Sequence, residues 1–384
     1  MKPAWNIHDL RDAAKKRLPR AIFEFVDRGS EDELLLGLNR AALDRARLVP
    51  RGLRDVSSRD QSIELFGRRL TSPLVVAPTG TADLLCYKGE TAIASAAAKA
   101  GIPFTLATSS TTTIEDMART ATAGFWMQMY LWDRRELSHQ VVERAAAAGA
   151  EVLILTIDTP TWPNREFNKR NGMANPIVPN PTLALDFMMH PRWSLGVLCR
   201  YLATSGMPRF VNYPAEIAGS VSGKVRIANS ASVSWADVAE LKRRFPGKLV
   251  LKGMLSRDDA IAATDNGVDG IVVSNHGARN FDASPASFDV LAEVVDAVGD
   301  RLTVLFDGGV RRGSDVAKAL AVGAKAALVA RPVLYGAAAG GHDGAARALE
   351  ILKTEIDFAM AMLGLTTLAG LDRSYLLPGT VRGC

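Results

Sequence analysis

The chain has 384 residues, 48% of them hydrophobic and 23% charged, which supplies a large core and excludes a disordered or low-complexity protein. Its formal net charge of +5 is spread along the sequence with no run of five or six basic residues, so a nucleic-acid-binding tail is excluded, while an anionic ligand or anionic membrane surface stays compatible. Cys86, Cys199 and Cys384 are too few and too far apart for a disulfide framework or a zinc site; no metal is expected, and the compartment reads as reducing.

The first residues, MKPAWNIHDLRDAAKKRLPR, have neither the apolar core nor the small-residue cleavage site of a signal peptide. No apolar stretch reaches the roughly 18 residues of a spanning helix, so a cytoplasmic protein is expected. Residues 1–70 hold helical segments, among them SEDELLLGLNRAALDR, expected to cap the remainder of the chain. From residue 74 short apolar runs alternate with alanine-rich segments of helical period. The runs are LVVAPTG (74–80), FTLAT (104–108), FWMQMY (125–130), VLILTID (152–158), LVLKG (249–253), GIVVSNHG (270–277), LTVLFDGG (302–309) and AALVAR (326–331).

Strands apolar on both faces belong in a parallel sheet, and eight β-α units most economically close on themselves. The expected fold is therefore α/β, a (β/α)8 TIM barrel over residues 74–365 with an N-terminal helical cap over 1–70, all in one domain of 1–384. An open doubly wound sheet is the alternative. A long insert, residues 159–232, follows the fourth strand, and such a length points to function.

Barrel enzymes carry their reactive groups at the carboxyl ends of the strands. The polar residues there are Thr79 and Gly80, Thr108, Gln128 and Tyr130, Thr156 and Asp158, Lys252, Ser274 and His276, Asp307 with Gly308 and Gly309, and Arg331. DGGVRRG after the seventh strand, with Arg331 after the eighth, places backbone amides and guanidinium groups where barrels bind phosphate. Lys252 is a cation facing the barrel axis, which demands an anionic partner. In SNHGARNFD, His276, Arg279 and Asp282 follow one another at intervals of three.

With LPRAIFEFVDRGSED, APTG, QMY, TIDTP, NRE, LKG, SNHGAR, DGGVRRGSDV and AR in this order, the chain resembles the FMN-dependent 2-hydroxy acid oxidase and dehydrogenase family over nearly its whole length. APTGT, KAGIPF, TIEDMAR and HPRWSL (190–195) resemble its bacterial mandelate dehydrogenase branch. The resemblance implies FMN as cofactor and oxidation of an (S)-2-hydroxy acid to the 2-oxo acid. It implies His276 as the catalytic base, Asp158 as its partner, Tyr130 as a hydroxyl on the substrate, and Arg165 with Arg279 as the clamp on the substrate carboxylate. For FMN it implies Pro78, Thr79, Gly80, Ala107, Gln128, Thr156, Lys252 and Ser274. Asp307 would meet the ribityl chain, and Gly308, Gly309, Val310, Arg311, Ala330 and Arg331 the phosphate.

Three departures bear on substrate and acceptor. Phe25 stands where the family has a tyrosine on the substrate carboxylate. Ser109 stands where glycolate-type members have tryptophan, which widens the pocket toward a larger or aryl acid such as mandelate, unless Trp162 or Phe281 refills the space. Gly80, where typical oxidases have alanine, favours an acceptor other than oxygen, and the choice between a quinone and oxygen stays open. Residues 172–215 mix apolar side chains with Trp and Arg, suiting either a membrane interface on the inner face of the cell membrane or a lid. The resemblance further implies a homotetramer. Two alternatives remain open at this point: a flavin-dependent oxidase of a peptide or natural-product intermediate, and a non-catalytic flavin-binding interaction protein.

Overall fold

Each of the eight apolar runs becomes a strand of one closed parallel barrel. The computed structural model describes residues 3–173, 180–214, 216 and 229–384. The N-terminal segment forms α1 (Ile7–Arg17), α2 (Arg20–Asp27) and α3 (Leu34–Arg45), then a hairpin of β1 (Ile63–Leu65) and β2 (Arg68–Leu70). The barrel opens with β3 (Leu74–Val76), α4 (Gly89–Lys99), β4 (Phe104–Ala107), α5 (Ile114–Thr120), β5 (Phe125–Met129), α6 (Arg135–Ala147) and β6 (Val152–Thr156). The insert contributes α7 (Glu166–Arg170), α8 (Pro181–Met189), α9 (Pro191–Trp193), a π-helical turn at Ser194–Cys199 and α10 (Arg200–Thr204). Alternation resumes with α11 (Trp235–Arg244), β7 (Lys248–Met254), α12 (Arg257–Asp265), β8 (Gly270–Val273), α13 (Ser287–Val298), β9 (Thr303–Phe306), α14 (Gly313–Val322), β10 (Ala326–Val329) and α15 (Arg331–Met362).

The strands pair in sequence order, and β10 closes on β3 through Ala327, Leu328 and Val329 against Leu74, Val75 and Val76. Inward-facing Val75, Trp126, Ile154, Val250, Val272, Leu305 and Leu328 fill the interior, so the barrel is a packed core and not a pore. The hairpin joins this inner cluster through Leu65, Leu70 and Phe66, whose ring meets Trp126 edge-on at 5.8 Å. Sequence reading placed only helices in residues 1–70, because three-residue strands bearing Arg68 and Arg69 show no alternation long enough to register.

Local chemistry sets several helix starts. Asn6 accepts from the Asp9 amide to cap α1, Thr113 from Asp116 to cap α5, and Ser256 from Asp259 to cap α12. The segment SEDELLLGLNRAALDR becomes helical only from Leu34, since Glu31 and Glu33 take left-handed backbone. The long α15 is broken at Gly340 and Gly341, where Gly341 has φ 61°. Residues 174–179, 215 and 217–228, parts of the expected insert and of its membrane-facing stretch, lie outside the described residues. Among the described residues no helix is long and apolar enough to cross a membrane.

Candidate active site

A cleft of about 440 Å³ lies at the carboxyl ends of the barrel strands, within the size range of small-molecule sites. Phe25, Pro78, Thr79, Gly80, Ala107, Ser109, Gln128, Tyr130, Thr156, Arg165, Lys252, His276, Arg279, Asp307, Ala330 and Arg331 all line it. Asp158 and Ser274 stand behind this lining, bonded to His276 and Lys252. Gly308, Gly309, Val310 and Arg311 follow β9 outside the lining proper. A second cavity of about 430 Å³ abuts the mouth and shares Trp162 and Asn229 with it.

The loop after β8 carries His276 in left-handed backbone, φ 58°, followed by Gly277 at 62° and Ala278 at 63°. Its ring Nδ1 lies 3.0 Å from Asp158 Oδ1, which leaves Nε2 free for the cleft. Burial lowers the His276 pKa below its usual 6.5, although Asp158 works in the opposite direction. Burial would raise the Asp158 carboxyl, but His276 and Lys252 hold it below the usual carboxylate range. The pair is therefore a neutral imidazole on a carboxylate at neutral pH, the resting state of a general base. Gly253, φ 106°, makes room for Asp158, since a Cβ there would sit 2.6 Å from its Cγ. Asn280 fixes the same turn by donating to Asp158 O and Thr159 Oγ1, each at 2.8 Å.

Three guanidinium groups converge beside this pair. Arg165 donates to Arg279 O at 2.9 Å, and Arg279 donates to Phe25 O at 2.7 Å and Arg28 O at 3.1 Å. Arg331 donates to Val26 O, Gly277 O and Arg28 O at 3.0, 2.8 and 3.1 Å. Among the described residues none of the three forms an ion pair with a carboxylate. Burial, then mutual crowding with Arg165 and Arg331, pushes the Arg279 pKa well down. A guanidinium nevertheless stays charged, so the cluster is a concentration of positive charge that an anion would neutralise. The Phe25 ring faces it, its centroid 5.4 Å from Arg279 Cζ.

Lys252 is buried at the end of β7, 3.2 Å from Ser274 Oγ and 3.4 Å from Asp307 Oδ2, and Ser274 donates to Asp307 Oδ2 at 2.7 Å. Its anionic partner within the chain is thus Asp307. Burial alone would lower the ammonium, but Asp307 and Asp158 overcome it and hold the pKa above the usual lysine value. Gln128 Nε2 donates to Thr156 Oγ1 at 2.9 Å on the neighbouring strands. Burial raises the Tyr130 phenol, with Asp158 adding to the effect.

Gly308 and Gly309, at φ 133° and 81°, require glycine for backbone and for space: a Cβ would meet Ser287 Oγ at 2.8 Å and Asn39 O at 3.1 Å. Among the described residues their amides and that of Val310 donate no hydrogen bond, whereas the amides of Arg311 and Arg312 are taken by Asp315 Oδ2. The start of α15 at Arg331 faces the same region with Pro332 in its first turn. Free amides, a helix start and buried guanidinium groups suit a phosphate, and the Lys252, Gln128 and Thr156 row suits the polar edge of an isoalloxazine ring. The residues present therefore fit FMN.

Asp282, the third member of the His276 and Arg279 series, has a different task. Its carboxylate accepts from the Leu34 and Leu35 amides at 3.0 and 2.9 Å and caps α3. From α3, Asn39 exchanges two amide hydrogen bonds with Asn275, at 3.0 and 2.8 Å, directly before His276. Sequence reading missed Asn39, Asn275 and Gly253, whose only local signals are a glycine after Lys252 and an asparagine before His276. Of the two aromatics weighed for refilling the space beside Ser109, Trp162 lines the cleft and Phe281 does not.

A family model described as FMN-dependent dehydrogenase matches residues 14–378. A peroxisomal (S)-2-hydroxyacid oxidase of Arabidopsis thaliana is 38% identical over 371 residues, covering 97% of this chain and 96% of its own. The (S)-mandelate dehydrogenase of Pseudomonas putida is 37% identical over 375 residues, 97% of this chain and 93% of its own. Among solved structures, a monotopic membrane protein, (S)-mandelate dehydrogenase, superposes with a TM-score of 0.92 at 37% identity, over 98% of this chain and 100% of that one.

Proposed function

The chain belongs to the FMN-dependent dehydrogenase family and is an FMN-dependent enzyme of (S)-2-hydroxy acid oxidation, and from that premise we propose that it acts on a larger, aryl-bearing acid such as mandelate with His276 as base. The observation that carries the reading is the His276–Asp158 pair set beside three guanidinium groups that have no carboxylate partner among the described residues.

Arg279 and Arg165 hold the substrate carboxylate by charge-assisted hydrogen bonds, and Tyr130 directs its hydroxyl to the same molecule. His276 Nε2 takes the substrate hydroxyl proton, and Asp158 on Nδ1 stabilises the imidazolium that forms. FMN, when bound, supplies the two-electron acceptor. Pro78, Thr79, Gly80 and Ala107 would line its ring on one side, and Gln128, Thr156, Lys252 and Ser274 its polar edge. Asp307 would meet the ribityl chain, and Gly308, Gly309, Val310, Arg311, Ala330 and Arg331 the phosphate. Lys252 would place its positive charge at the polar edge of the ring.

A wide cleft supports the larger substrate. Ser109 is small, Phe25 offers a ring and no hydroxyl, and Phe210, Tyr213 and Trp162 add aromatic surface to the lining. Anaerobic flavin reduction by glycolate, lactate, mandelate and longer hydroxy acids tests this. Preference for mandelate supports the reading, and preference for glycolate or lactate overturns the aryl assignment.

The insert is proposed to contact a membrane peripherally and a quinone to be the electron acceptor. Leu185, Met188, Met189, Leu195 and Leu202 are each more than half exposed on the insert, and the similar mandelate dehydrogenase structure is of a monotopic membrane protein. A homotetramer and a single domain complete the proposal.

A further inference from the structure

Helix α2 starts without a cap of its own. Pro19 stands at its N-cap with no hydrogen-bonding side chain, its first turn has no acidic residue, and Arg20 adds positive charge at the positive end of the helix. The insert supplies what is missing. Asp186 Oδ1 accepts from the Arg20 amide and Oδ2 from the Ala21 amide, each at 3.0 Å. Asp186 is itself held within α8, where His190 Nδ1 lies 2.8 Å from its carbonyl oxygen.

At the opposite end of α2 the carbonyls of Phe25 and Arg28 receive Arg279, and those of Val26 and Arg28 receive Arg331. One eight-residue helix thus has a carboxylate of the insert on its amino end and two cleft arginines on its carboxyl end, both in the sense its dipole favours. The insert is also fastened to the loop after β3. Trp193 Nε1 donates to Leu84 O at 2.7 Å, and the Tyr201 hydroxyl donates to Asp83 Oδ2 at 2.8 Å. Leu84 lines the cleft, while Met188 and Met189, neighbours of Asp186 on α8, are exposed.

We propose that Asp186 is a positioning residue that couples the insert to the carboxylate-binding side of the cleft, by fixing α2 and through its carbonyls the guanidinium of Arg279. The proposal rests on the reading of Arg279 as the carboxylate anchor. Its test is the Kd of phenylglyoxylate for the oxidised holoenzyme, read from the FMN difference spectrum, in the wild type, D186A, D186N, R279K and D186A/R279K.

D186A is expected to weaken binding about fivefold with FMN content unchanged, a cap-sized effect. D186N, which keeps an acceptor oxygen for one amide, falls between. In the R279K background the D186A effect is expected to vanish, as coupled positions require. An unchanged Kd in both Asp186 variants, or an equal loss with and without Arg279, overturns the coupling. An unchanged Kd in R279K overturns the anchor reading itself and the coupling with it.

Discussion

Asp158 packs directly on Gly253, where an added Cβ would sit 2.6 Å from its Cβ and Cγ, and from there Oδ1 stands 3.0 Å from His276 Nδ1. The pair joins the ends of β6 and β8 across β7, and Asn280 bonds the Asp158 carbonyl to lock the turn.

This arrangement predicts a pH profile. Burial disfavours the imidazolium, so the folded His276 pKa lies below 6.5, and the neutral base is depleted only as pH falls through that lowered value. The rate of flavin reduction is expected to be flat from pH 8 to about 6.5 and to fall only in more acidic solution. D158N, which removes the carboxylate charge from His276 Nδ1, is expected to cost about 1.5–3 kcal/mol or roughly ten- to a hundredfold in rate. Stopped-flow reduction across pH checks both; a rate still climbing above pH 7.5 contradicts the assignment.

Phe25 faces the guanidinium of Arg279 with a ring that has no hydroxyl. F25Y is expected to add one hydrogen bond to the substrate carboxylate and lower KM for small hydroxy acids up to about tenfold. A KM that stays the same or rises in a folded variant means that residue 25 does not face the carboxylate.

Gly80 is confined by Ser109, whose Oγ would lie 2.4 Å and whose carbonyl oxygen 3.1 Å from an added Cβ. G80A is expected to destabilise the protein by about 1–3 kcal/mol, the range of overpacking, with most of the loss recovered in G80A/S109A. Thermal unfolding of the single and double variants separates this contact from a general intolerance, which the second substitution leaves uncorrected.

Most of the barrel and much of the lining of its cleft were legible in the sequence, because a strand buried on both faces is an unbroken apolar run and most runs carry at their carboxyl end a polar residue that faces the cleft, Thr108 and Asp158 being exceptions. Gln128, Lys252 and His276 could be found in this way. What could not be read are contacts between distant segments with no local pattern: Asp282 capping α3 from 248 residues away, and Asp186 capping α2 from 166. Arg331 shows the difference between position and bonding. Its place at the end of β10 was foreseeable, but its donors go to the carbonyls of Val26, Arg28 and Gly277, residues that no periodicity connects to it.

The insert presents Leu185, Met188, Met189, Leu195 and Leu202 outward while Trp193 and Tyr201 anchor it inward. Replacing Leu185, Met188, Met189, Leu195 and Leu202 together by serine is expected to abolish binding to anionic vesicles while flavin reduction by substrate survives, since none of the five lines the cleft. Cosedimentation checks this. Equal binding before and after replacement, or none by the intact protein, leaves the insert as a lid or subunit contact.

Proton removal by His276 is probed by anaerobic reduction of the bound flavin by (S)-mandelate in H276A. As the proposed base, His276 is not needed to hold the phosphate, so H276A is expected to keep its FMN while reduction slows by about two to four orders of magnitude. Reduction of a fully loaded H276A flavin at close to the wild-type rate would contradict the account.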